Sequence, residues 1–188
     1  MDGQNSTPFT APVVANFTLV GTGAGTDFDA TNGGYGMVLR RGTGGYYVNG
    51  LVARFPKGAI GIRDASTQAR IDAGVFDMRN ILVAESPSIF TTASSGIVLP
   101  DSVERQIERD ATATTASLFT TFSMPAAGTA SFDWTPAAGS GAATGGLTTF
   151  TGNMATAAGT FVQGTAYRGA AAPGGAKWWA GWTNYARN

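Results

Sequence analysis

The feature that most constrains this chain is a short pattern that recurs at a step of about thirty residues. Asn16-Phe-Thr-Leu-Val-Gly21, Asn49-Gly-Leu-Val-Ala-Arg54 and Asn80-Ile-Leu-Val-Ala-Glu85 share one frame. The second follows the first by 33 positions and the third follows the second by 31. A second series alternates with it. Met37-Val-Leu-Arg-Arg-Gly-Thr43 aligns with Ile60-Gly-Ile-Arg-Asp-Ala-Ser66, 23 positions on. Two alternating strand types at a fixed period are the signature of a coil with several strands per turn, repeated roughly three times. Strands of successive turns then stack in parallel at about 4.8 Å, like over like.

This register makes residue-level expectations. Asn16, Asn49 and Asn80 form a ladder of side-chain amides where a strand begins, and Leu19, Val52 and Val83 form an aliphatic stack inside. Arg54 lies beside Glu85 and Arg41 beside Asp64, as ion pairs between adjacent turns. The expected architecture is all-β, a parallel β-solenoid whose turns fill residues 1–100. Residues 101–188 add one short helix, Gly/Thr/Ala-rich loops, a strand over 161–168 and an aromatic cap, all packed on the same domain. A two-sheet sandwich is the rival fold; it requires antiparallel neighbours and has no asparagine ladder.

Composition removes several chemistries. The 188 residues carry no net charge, and only 13% are charged, so bulk electrostatics attract neither nucleic acid nor an acidic membrane. There is no cysteine and no histidine. Disulfides, thiolate catalysis, imidazole acid–base work and most zinc sites go with them. No apolar run is long enough for a membrane helix. The first residues lack the charged and apolar regions of a signal peptide, so the chain is cytosolic or, as the preferred expectation, a mature or shortened piece of a secreted protein.

Further along, 21–34 is a glycine-rich turn holding Asp27, Asp29 and Asn32. Oxygen side chains on such a loop suit Ca²⁺, but the spacing is not that of an EF-hand, and Asp and Asn also cap turns by bonding their own backbone. No other cofactor is expected. Asp64 to Asp72 reads as a short helix or a further strand. Asp101 to Asp110 reads as the helix, with a capping Asp101 or Ser102 and with Val103 and Ile107 on one face. Residues 137–146 (AAGSGAATGG) read as a mobile surface loop.

Two groups of residues invite a functional reading. Trp178, Trp179, Trp182 and Tyr185 crowd the last stretch and offer a surface on which a sugar ring stacks. The stronger reading is a cap, because the open end of a coil exposes unpaired backbone and apolar stacks. Arg40, Arg41, Arg54 and Arg63 with Asp64 carry the residue types of a polysaccharide lyase, but no acidic metal cluster accompanies them, and pairing between turns explains them better. The glycine-rich turns lack the Lys-Ser/Thr of a phosphate loop.

A strand like VANFTLVG, the run GYGMVLRRGTGGYYVNGLVARF followed by GAIGIRD, and the tail AYRGAAAPGGAKWWAGWTNYARN together resemble a group of bacterial secreted or lipid-anchored surface proteins. That group carries a right-handed parallel β-helix of the pectate-lyase-like superfold. The resemblance implies the C-terminal part of a longer protein, an extracellular or cell-surface location and no catalytic residues to carry over. The expectation is therefore a non-enzymatic structural or adhesive module, assembling with itself or with upstream turns through an open end. The alternative is a carbohydrate-binding or lyase-like β-helix.

Overall fold

A computed structural model describes residues 6–24, 31, 33–91, 94, 96–104, 106–123, 131–181 and 183. The chain passes through three sheets in rotation. In the first passage these are β1 (Val13–Ala15), β2 (Thr18–Val20) and β3 (Met37–Leu39). In the second they are β4 (Gly45–Val48), β5 (Leu51–Ala53) and β6 (Ile60–Ile62). A helix, α1 (Ala65–Asp72), leads to the third: β7 (Phe76–Arg79), β8 (Ile81–Ala84) and a single bridge from Phe90 to Ile60. The sheets run β1-β4-β7, β2-β5-β8 with a further strand beyond, and β3-β6, and every pairing in them is parallel. This excludes the antiparallel sandwich. Leu19 pairs with Val52, Val52 with Val83, and Met37 with Ile60. These are the offsets that the repeats prescribe.

The corners between sheets repeat as faithfully as the strands. Asn16, Asn49 and Asn80 take φ of 54°, 55° and 54°; Arg54 and Glu85 take 64° and 48°; Arg41 and Asp64 take 58° and 76°. Left-handed backbone costs an ordinary L-residue about 1–2 kcal/mol and costs asparagine less. The sharp change of direction at each sheet junction needs it, and this is why asparagine recurs at the first corner.

Strands β4, β5, β6 and β8 are buried along their whole length. Such strands are covered on both faces, so they read as continuous apolar runs and not as alternation. Tyr47, Val52, Ile60, Ile62, Met78, Ile81 and Val83 point inward to one core. The outward residues are covered by the rest of the chain. Tyr46 and Val48 lie under Met154, Leu147 and Phe150, from α4 (Gly152–Ala158) and the segment before it. Leu51, Ala53, Leu82 and Ala84 lie under Leu118, Phe119, Ala142 and Trp134. Each fully buried Leu or Ile contributes about 1.5–3 kcal/mol, so this outer cover matters as much per residue as the inner core.

The second half departs from expectation in four ways. The helix over Asp101–Asp110 is only α2 (Asp101–Glu104); Ile107–Asp110 is a strand, β9, parallel to β8 with Ile107 opposite Ile81. The free edge of β8 offers the Ile81 N–H to Gln106 O, and burial of Ile107 overrides the local helical pattern. The stack thus runs past residue 100. The strand over 161–168 is absent; that segment runs irregularly beside 142–148, bonded through Ala166 O to Gly146 and through Arg168 N to Ala142. The supposed mobile loop at 137–146 packs on the stack, with Ala142 fully buried and Gly141 against Leu82. Finally, the described residues hold four short helices, not one, and an antiparallel hairpin. These are α1, α2, α3 (Thr115–Leu118) and α4, with β10 (Phe119–Ser123) paired to β11 (Ser131–Pro136).

Candidate functional site

The asparagine corner is where the two halves meet. Asn49 is fully buried. Its Nδ2 donates to Asn16 Oδ1 and to Leu147 O, each at 3.1 Å, and its Oδ1 accepts from Leu147 N at 2.6 Å. Asn16 Nδ2 donates to Gln163 O at 2.9 Å and its Oδ1 accepts from Thr165 Oγ1 at 2.9 Å. Asn80 Nδ2 donates to Gly145 O at 2.8 Å. The amides therefore serve less to bond one another than to hold the peptide groups of 145–147 and 163–165. Gly146 and Gly164 permit the approach. A Cβ on Gly146 would strike the carbonyls of Tyr167 and Thr165, and one on Gly164 those of Leu147 and Thr148.

The charged corner residues also meet. Arg54 Nε lies 3.9 Å from Glu85 Oε1, while Glu85 Oε2 accepts from Thr115 N and Oγ1 at 2.7 and 2.5 Å. Arg54 also stacks over Phe122, 5.0 Å from the ring centre. Asp64 Oδ2 accepts the backbone N–H of Arg41 at 2.8 Å. Arg63 stands over Tyr35 at 5.4 Å, away from Arg54. These contacts build corners and, among the described residues, leave no convergent acid and base. Among the described residues no group of three or more acidic side chains could hold a metal ion. Asp27, Asp29 and Asn32 lie outside the described residues.

One concave feature with ligand-like character is aromatic. A cavity of about 290 Å³ is lined by Thr18 and Val20 of β2, Trp134 of β11, Ala170, Ala171, Trp178, Trp179 and Thr183. Trp178 is 54% exposed and Trp179 is buried; their rings meet edge to face at 5.7 Å. Trp178 Nε1 donates to Ala170 O at 2.8 Å. Lys177 Nζ reaches Asp133 Oδ2 at 2.7 Å and ties the tryptophan segment to the hairpin. Burial pushes the Asp133 carboxyl up, but the bonds from Lys177 and Thr135 more than offset it and hold its pKa below the usual value. Trp182 and Tyr185 lie outside the described residues. Trp134, Thr18 and Val20 were not legible as partners of Trp178 and Trp179. Nothing in their spacing links a hairpin, a first-turn strand and the tail.

A family model of the pectate-lyase-like β-helix domain matches residues 1–139. The chain belongs to that β-helix family. The match covers the parallel sheets, their corners and the hairpin that carries Trp134. The β-helix match thus contains one wall of the aromatic cavity, while Trp178 and Trp179 come from the stretch beyond it. No curated protein and no solved structure matches the chain.

Proposed function

We propose that this β-helix is a right-handed solenoid serving as a non-enzymatic structural or adhesive module at an extracellular or bacterial surface, and that it joins further rungs through its first turn. The observation that carries the reading is the contrast between the first turn and the second. Strands β1, β2 and β3 have a neighbour on one side only among the described residues. Val14, Phe17, Leu19 and Met37 are only partly buried there, whereas Val52, Ile60 and Ile62 one turn on are fully buried. An edge of unpaired backbone around an apolar cross-section is complementary to another rung of the same kind. The rung comes from upstream turns of a longer chain or from a second copy. Light scattering after size exclusion, with hydrogen exchange on the same sample, tests this. The expected result is concentration-dependent association that slows exchange in β1–β3 and is lost in Val14→Lys. A dilute monomer whose β1–β3 amides exchange as slowly as those of β5 contradicts it.

A second reading has its own observation. The exposed Trp178 on a cavity walled by Trp134 and Trp179 suits a sugar ring, whose apolar face stacks on indole while its hydroxyls meet Thr18 and Thr183. This makes the chain a carbohydrate-binding or lyase-like β-helix, with Ca²⁺ at Asp27, Asp29 and Asn32 as its accessory. Glycan-array binding that is lost in Trp178→Ala supports it, as does release of unsaturated uronate from pectin or alginate with Ca²⁺. Silence on every glycan retires it.

A further inference from the structure

The corner at Arg41 differs from the others in one respect. At the asparagine corner the left-handed residue contributes amides that hold the second half of the chain, and at Arg54 and Glu85 the side chains meet each other. Asp64 accepts the Arg41 N–H. Arg41 itself holds φ of 58°, ahead of Gly42 at 78°, yet its guanidinium meets no carboxylate among the described residues. Glycine or asparagine would satisfy that backbone at less cost. A left-handed arginine whose guanidinium meets no carboxylate among the described residues points to a role outside the fold.

Its surroundings say which role. Arg40 and Arg41 line a polar cavity of about 330 Å³ together with Ser6, Phe9, Thr10 and Thr43. Arg70 of α1 stands over the ring of Phe9 at 4.2 Å, and its Nε is buried with no hydrogen-bond partner among the described residues. Arg63 follows β6 in register with Arg40 after β3, but its guanidinium stands over Tyr35, which leaves Arg40 and Arg41 as the cavity's arginines. Of the neighbouring acids, Asp64 accepts the Arg41 backbone N–H at this same corner, and Asp72 accepts from Gln68. Arg40 and Arg41, with the hydroxyl residues Ser6, Thr10 and Thr43 around the same cavity, form a donor set for a tetrahedral oxyanion, which accepts from several donors at once.

We propose that this corner binds a phosphate or sulfate group, with Arg40 and Arg41 as direct donors and Arg70, set against Phe9, beside them. The assignment is independent of the rung-joining and sugar readings. The test is a titration of the intact chain with inorganic phosphate, inorganic sulfate and acetate at constant ionic strength, followed by NMR of the arginine side-chain N–H groups. Saturable shifts of Arg40 and Arg41 with a tetrahedral dianion, and none with acetate, are expected. Response to sulfate alone assigns a sulfated ligand, and response to phosphate alone a phosphoester. Arg41→Gly relaxes the left-handed corner, so it should melt no lower than the parent yet bind about tenfold more weakly. Arg40→Gln leaves that corner untouched and should lose binding likewise. No saturable shift with either dianion, a response shared with acetate, or undiminished binding in both variants overturns the proposal.

Discussion

Residues 13–110 and residues 115–181 solve the burial problem differently. The first set stacks like on like: one frame, repeated, places Leu19, Val52 and Val83 in one column and asparagine at each first corner. The second set has no period and, among the described residues, makes no stack. It lies over the outward faces of the first, with Met154 on Tyr46 and Val48, and Phe119 and Ala142 on Leu51 and Leu82. A repeat can specify its own interior, because each turn is the template for the next. It cannot specify what covers its outer face, and here that cover is held by the asparagine amides, Asn49 fully buried among them, and by close backbone approach.

The substitution that should hurt most strikes where the two sets join. Asn49→Ala leaves Leu147 N and O without their partners and puts alanine at φ of 55°. A loss on the order of 3–5 kcal/mol is expected in urea unfolding, with both sets affected. If only 145–170 loosens while β4–β8 keep their protection from exchange, the join is weaker than the geometry says. Gly146→Ala separates the sets more cleanly. Its Cβ would strike the Tyr167 and Thr165 carbonyls, at a cost of about 1–3 kcal/mol. Faster exchange is expected across 142–168 with β5 and β8 nearly unchanged.

Acid should act on the outer set through Asp133. Asp133 has a lowered pKa in the fold, so its pairing with Lys177 stabilises above the ordinary carboxylate value and is lost as pH falls through the lowered one. Tryptophan emission should therefore change below about pH 4, and Lys177→Met should remove that step. A step that persists in Lys177→Met assigns it to another carboxylate. Least of all, Glu85→Gln should shift stability by under about 1 kcal/mol, because the pair with Arg54 is long and partly exposed and the amide oxygen still accepts from Thr115. A larger loss would make the charged corner a main support of the stack.

The same contrast explains what was readable beforehand. The parallel registers could be written from the sequence because Asn16, Asn49 and Asn80 recur in frame with apolar residues behind them. What bonds those amides could not, since Gly145, Leu147, Gln163 and Thr165 are marked by nothing but glycine and threonine in a stretch full of both. Val103 and Ile107 fit one helical face equally well, and only the open edge of β8 decides for a strand. The aromatic cavity was half legible, because Trp178 and Trp179 are adjacent in the chain. Trp134 reaches them from the hairpin, which the Lys177–Asp133 pair ties to the tryptophan segment.

Scalar couplings transmitted across hydrogen bonds address the stacking directly, since each names a donor and an acceptor. Leu82 N bonds Gly50 O at 2.9 Å, and Asn49 N bonds Arg79 O at 3.0 Å. The expected spectrum links the Leu82 amide to the Gly50 carbonyl carbon and the Asn49 amide to that of Arg79, a pattern only parallel neighbours produce. Couplings that join β5 and β8 in descending order, or that join neither to the other, would contradict it.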